Sequence, residues 1–304
     1  MEDIYALYTP EQIQTIHLSD FYTMLYAIVG QTLLDAMGLD GESALREATR
    51  RYGADRGRAR RQNHLGANVK INMKNLFSIG SDLPTDPRFR GETLKLVPEE
   101  RNHRTLRCPM AELWLREGYQ YVGRIYCEEF HPACYGSYAY GHTRVGLART
   151  LTQQGDSFCS FNIILRAQNL PDELKSVCFE EYDPYFTGQT RDIPRAEGKS
   201  GYHSLCVRVY YYIREVLEER YADAADRVLE RGLAAYARYA AGVLRRYAGE
   251  MDCPLTESFV EEHFPFSLRP DLDPLWEQYS GHRAKEFLLS AFYPVFERSL
   301  DLGR

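Results

Sequence analysis

The sequence predicts an α+β protein, in which an antiparallel sheet over about residues 92–167 is flanked by helices. Three observations predict it. Apolar residues recur at helical spacing over the first sixty or so residues, the period then shortens to alternation, and helical spacing returns after residue 204. The expected organisation is a core over 1–170, a connector over 171–203 and a mainly helical C-terminal region over 204–304.

Each element has its own signal. Ile13, Ile16, Phe21, Leu25, Ile28 and Leu33 mark one helix over 11–37, with Gly38 and Gly41 as its breakers. Ala44, Leu45, Ala48 and Tyr52 mark a second over 42–63, capped by Asp40 or Ser43. The stretch LGANVKINMKNLFSIG reads as a short helix or connector, and SDLPTDPRFRG as a polar loop. Glu92–Val97 and Arg104–Cys108 are strand candidates joined by PEERNH. Pro109 to about Phe130 is helical. Arg144–Gln153 and Phe158–Ala167 form a hairpin around Gly155, with Val145, Leu147, Arg149 and Leu151 on one face of the first strand. Residues 168–202 are rich in Pro and Gly, and helices are expected over 204–220, 222–249, 256–263 and 283–299.

A weak repeat runs through the chain. A shift of 184 residues carries Leu33, Leu45, Tyr52 and Arg61 onto Leu217, Leu229, Tyr236 and Arg245. A shift of 162 carries Trp114, Phe130 and Pro132 onto Trp276, Phe292 and Pro294. The C-terminal region then reads as a degenerate repeat of the N-terminal helices. Cys127 and His131 would correspond to Leu289 and Tyr293, so the second copy keeps packing and loses reactive groups.

Composition narrows the function classes. The net charge of −6 argues against a nucleic-acid coat. No apolar run approaches the roughly 18 residues that a membrane span needs. The start MEDIYALYTPEQ does not resemble a signal or transit peptide, and the seven cysteines are scattered. The expectation is therefore a cytoplasmic protein with reduced thiols. Six arginines between Arg50 and Arg61 read either as a solvated helix face or as a face turned toward a substrate carboxylate.

Two groups of residues stand out chemically. Cys127 and His131 are spaced i, i+4 on one helix face, with Arg124 one turn earlier. A thiol beside Arg or His ionises more easily, as a nucleophile or metal ligand. Pro132 places His131 at the helix end. The competing reading is a small core cysteine and a satisfied histidine. The second group is Gly155-Asp156-Ser157-Phe158-Cys159, in which Asp156 either supports the turn or serves chemistry.

These residues carry a resemblance. Tyr52-Gly53 with Arg56-Gly57, Cys108-Pro109 before Trp114 and Gly118, Tyr126-Cys127-x3-His131, and Leu151-Thr152-x2-Gly155-Asp156-x2-Cys159-x-Phe161 follow one another over about 40–165. In this order they resemble the L-2-amino-thiazoline-4-carboxylic acid hydrolase family, whose core also resembles vinyl-reductase-type ligand-binding domains. The resemblance implies hydrolytic opening of a small ring, expected at a C–N bond, by water addition to an amidine-like carbon of a polar or anionic small molecule. Hydrolytic C–C opening of a cyclic diketone and ligand binding without turnover are the alternatives. The expected catalytic residues are Cys127, His131, Asp156 and Cys159, with Tyr126, Arg124, Arg144 and Arg149 holding substrate. The mechanism needs no cofactor. A divalent metal on Cys127, His131 and Cys159 is the other route to an activated water. The long Tyr- and Ala-rich helices suggest a homodimer, with no nucleic-acid or membrane partner.

Overall fold

The structure, a computed structural model, describes residues 4–302; residues 1–3 and 303–304, which the expected outer domains include, lie outside the described residues. After a single turn, α1 (Ile4–Leu7), the chain enters α2 (Pro10–Met37). Thr9 caps it: its side chain accepts from the Gln12 backbone, and the Gln12 side chain returns a bond to the Thr9 backbone. α2 buries residues on every face between Ile13 and Leu33, because other helices surround it.

The helix ends at Gly38, whose φ of 56° and ψ of −128° reverse the chain. α3 (Leu39–Gly66) runs back along α2. Gly41, expected as a second breaker, lies inside α3. A Cβ there would sit 2.2 Å from the Leu33 carbonyl oxygen, so the glycine serves the tight joint. A short α4 (Met73–Ser78) follows, capped by Asn72.

The sheet is antiparallel, in the order β1-β2-β4-β3. β1 (Arg90–Val97) and β2 (Glu100–Arg107) meet across Pro98 and Glu99 alone. The connection expected over PEERNH is mostly strand, because β4 (Cys159–Ile164) pairs with it: Arg101 lies opposite Ile163 and His103 opposite Phe161. β3 (Arg144–Arg149) completes the hairpin with β4. A register shift between Leu147 and Arg149 turns Arg149 out of line, so it does not share the half-buried face of Val145 and Leu147.

The helix expected over Pro109–Phe130 is two. α5 (Pro109–Arg116) stops before Gly118, whose φ is +81°, and α6 (Gln120–Tyr138) starts afresh. α6 continues past Pro132, so His131 sits within the helix and not at its end. Tertiary packing overrides the proline. Gly53 and Gly57 of α3 let α6 approach closely: a Cβ at Gly53 would lie 2.7 Å from the Phe130 carbonyl, and one at Gly57 2.1 Å from that of Cys134.

The expected connector is structured. α7 (Asp172–Cys178) places Cys178 and Phe179 in a sheet-side core with Ile71, Tyr138, Phe161 and Ile163. Further on, Arg195 bridges to Ser81. α8 (Gly198–Tyr221), α9 (Asp223–Glu250), α10 (Glu257–His263), α11 (Leu275–Gln278), α12 (Ala284–Ala291) and α13 (Tyr293–Leu300) share one continuous core with α2 and α3. Among the described residues, no helix is long and apolar enough to cross a membrane.

Candidate active site

A cavity of about 300 Å³ lies between the helices and the inner face of the sheet. α2 contributes Tyr22, α3 Arg56 and Arg60, and α6 Tyr126, Cys127, Phe130, His131, Cys134 and Tyr135. β4 presents Cys159 and Phe161, while Cys108, Met110 and Trp114 close the α5 side. The rim is formed by residues 80–83 and by Arg195 from the segment before α8. The α6 side chains reach the same space because the Gly53 and Gly57 contacts fix the rotation of α6 against α3.

Cys127, His131, Cys159 and Tyr126 thus share one cavity wall. The other expected site residues do not line it. The Asp156 carboxylate accepts from the Thr150 backbone at 3.0 Å, and the Leu151 backbone donates to the Cys159 sulfur at 3.3 Å. The Gly-Asp-x-x-Cys segment therefore closes its own turn and aims Cys159 inward. Arg124 is an exposed residue paired with Glu128 at 2.6 Å. Arg144 is exposed on the outer edge strand, and Arg149 lies 5.2 Å over the ring of Phe158. None of these three lines this cavity.

The cavity's cations come instead from α3 and the segment before α8. The arginine run on α3 divides by face. Arg50 and Arg51 pair with glutamates outside, whereas Arg56 and Arg60 turn inward, one helical turn apart. Arg56 binds Asp82 through two nitrogens, at 2.6 and 2.8 Å, and lies 4.9 Å over the Phe130 ring. Arg60 donates to His64 and to the carbonyls of Leu76, Ile79 and Gly80, so it orders the rim. Arg195 is exposed at the mouth and has no carboxylate partner among the described residues. The inward faces of the arginine run could be sought at i, i+4 spacing; nothing in the sequence marks Arg195.

Electrostatics distinguish the reactive groups. Burial pushes Asp82 upward, but Arg56 and then Arg208 outweigh it and hold the carboxyl down to about 2. Burial, followed by the Arg56 and Arg101 cations, holds His131 down to about 3. Its Nδ1 is 3.2 Å from the Tyr135 hydroxyl, and its Nε2 has no partner among the described residues. The thiols move the other way. Burial pushes Cys108 and Cys134 up to about 12 and Cys127 well above the thiol range. For Cys127 the largest influence is desolvation, which works against the thiolate. Cys127, His131 and Cys159 also do not draw their ligand atoms together. Among the described residues, the group that does is Glu215, Glu219 and His282, on the far surface, where Arg51 already pairs with both glutamates.

No curated protein and no solved structure matches the chain. The sequence model of one family, L-2-amino-thiazoline-4-carboxylic acid hydrolase, matches residues 20–163, from the middle of α2 to the end of β4. That stretch, which resembles the L-2-amino-thiazoline-4-carboxylic acid hydrolase family, supplies every helix and strand named above as lining the cavity wall.

Proposed function

We propose that the protein is a hydrolase that opens a small, carboxylate-bearing heterocycle held in this cavity. The observation that carries the reading is the meeting of His131, buried and with one ring nitrogen unpartnered among the described residues, with an excess of arginine over carboxylate in an otherwise aromatic wall. Arg195 at the mouth is the substrate's carboxylate anchor, and Phe77, Phe130 and Phe161 sandwich the ring.

His131 acts as general base in the tautomer that carries its proton on Nδ1 and donates it to Tyr135. Nε2 takes a proton from water as the hydroxyl adds to the amidine-like carbon, and the ring nitrogen gains a proton. Collapse of the tetrahedral intermediate forms the carbonyl and expels the ring sulfur, which takes the hydroxyl proton. Atom balance thus moves the scissile bond of an aminothiazoline carboxylate from the expected C–N to C–S, since both nitrogens stay on the carbon of the carbamoyl product. Cys127 and Cys159, neutral thiols, shape the wall in this route.

The test follows from the bond. Purified protein given 2-amino-thiazoline-4-carboxylate should release one new thiol per turnover, over many turnovers, and His131→Ala should release it about 10²–10⁴-fold more slowly. No thiol and no mass gain of one water sinks the reading. Water gain on a cyclic diketone without thiol release favours carbon–carbon opening instead.

We also infer that the C-terminal helices are a degenerate copy of the N-terminal unit. The joint at Ala222 (φ 46°, ψ −139°), 184 residues after Gly38, has nearly the same conformation as that glycine (φ 56°, ψ −128°). The inference is further supported by paired contacts: Tyr26–Trp114 at 6.2 Å against Tyr210–Trp276 at 6.3 Å, and Tyr52–Phe130 at 5.5 Å against Tyr236–Phe292 at 5.7 Å.

A further inference from the structure

Three tyrosine hydroxyls meet at the α2–α3–α6 junction. Tyr22 is 2.9 Å from Tyr52 and 2.7 Å from Tyr126, oxygen to oxygen, and Arg56 Nη1 donates to Tyr52 at 3.3 Å. Tyr52 is fully buried and does not line the cavity, while Tyr22 and Tyr126 do.

The chain has a direction. A guanidinium only donates, so the Tyr52 oxygen must accept from Arg56. If the hydroxyl hydrogens ran from Tyr126 to Tyr22 to Tyr52, the Tyr52 hydrogen would face a cation in the core with no acceptor. An unsatisfied buried donor costs the full desolvation penalty of its group. In the opposite direction Tyr52 donates to Tyr22 and Tyr22 to Tyr126, and every buried hydrogen has an acceptor. The hydrogen left over belongs to Tyr126, which has no other partner among the described residues. It is the one hydroxyl hydrogen of the chain that a ligand can reach.

We propose that Tyr126 is a catalytic hydrogen-bond donor to the ring atom that gains an electron pair, and that Arg56, Tyr52 and Tyr22 are positioning residues that fix its direction. This deepens the hydrolase reading and rests on it for the reaction, though not for binding. The substrate class follows: a flat carboxylate-bearing ring that presents a lone pair beside the carboxylate-bearing carbon, not an N–H. As water adds, Tyr126 stabilises the charge building on the ring nitrogen without losing its own proton. Donation through a hydrogen-bonded series strengthens the last bond.

Two five-membered probes separate the cases by calorimetry. Thiazole-4-carboxylate offers a ring lone pair and resists hydration, and pyrrole-2-carboxylate offers a ring N–H at the same place. The wild-type protein should bind the thiazole at least about tenfold tighter than the pyrrole, because a site built to donate leaves its donor facing a donor in the second case. Tyr126→Phe should abolish that preference, and Tyr52→Phe should shrink it a few-fold while leaving pyrrole affinity unchanged, a pattern that a merely structural loss does not produce. Equal affinities in the wild type, no thiazole binding, or an undiminished preference in Tyr126→Phe overturns the proposal. The wild-type comparison stands even if a variant fails to fold. A protein that shows the preference yet releases no thiol from aminothiazoline carboxylate retains this inference and loses the hydrolase reading.

Discussion

The helix pair α2–α3 and the pair α8–α9 have the same joint and opposite chemistry. α3 and α9 are each 28 residues long, and both follow a residue with positive φ, Gly38 and Ala222. At positions 184 apart, Tyr26 and Tyr52 face Tyr210 and Tyr236, so packing tyrosines persist. Tyr22, Arg56 and Arg60 correspond to Cys206, Ala240 and Leu244. The counterparts of these polar wall residues lie in an apolar core, where Cys206, Ala240 and Leu244 are all fully buried. Gly53 and Gly57 correspond to Ala237 and Ala241, and the helix across from them breaks into α12 and α13 where α6 is continuous. Close glycine contact appears where a site must be held open, and ordinary alanine packing where there is only a core to fill.

Substitution at matched positions breaks or sharpens that comparison. The largest effect is expected at His131. His131→Ala should lower turnover by about 10²–10⁴-fold, the range of a lost general base, whereas Tyr293→Phe, its counterpart, should leave thiol release within a factor of two or so in the same assay. Equal losses would remove the distinction between the halves. Next, Gly57→Val should lower the unfolding free energy by about 3 kcal/mol or more, since its Cβ would strike the backbone oxygen of Cys134. Ala241→Gly, in the second unit, should cost only about 1 kcal/mol by denaturant titration.

An acid response comes third. Burial, then His263 and nearby arginines, hold His17 down to about 2, against an ordinary 6.5, and burial followed by Arg60 holds His64 down to about 4. Between these values and 6.5 the unfolded chain binds more protons than the folded one, so stability is full above 6.5 and falls as the pH drops. Thermal midpoints should decline from pH 6.5 toward 4, and His17→Phe should flatten the decline. A flat profile in the wild type would contradict the neutral buried histidines. The smallest effects belong to the outer residues. Asp156→Asn should cost about 1 kcal/mol through the Thr150 contact. Arg124→Ala should change stability by less than about 0.5 kcal/mol, as for an exposed pair. Neither should alter turnover, and a large loss of activity in either would return it to the site.

Much of this was legible before folding. Periodicity marked α2, α3 and the β3–β4 hairpin, because burial on one or more faces leaves a repeating apolar pattern. The i, i+4 spacing of Cys127 and His131 placed them together, and the resemblance added Cys159 and Tyr126. Other features were not legible. The end of α6 was misread at Pro132, since the local rule against proline yields to long-range packing on Gly53 and Gly57. The second strand was read four residues short because its polar start pairs with β4, a partner over fifty residues away. For Asp156 the sequence leaves turn support and chemistry both open, and the structure shows its carboxylate accepting from the Thr150 backbone.

The order of residues alone determined the alternation of helix and strand and the family motifs, because these depend on local spacing and side-chain type. Tertiary structure decided which arginines face the cavity, that Arg195 arrives at its mouth from a distant segment, and that burial pushes the thiols up and His131 down. Those outcomes depend on burial and on charges from elements far apart in the chain, and desolvation exists only once the elements have packed.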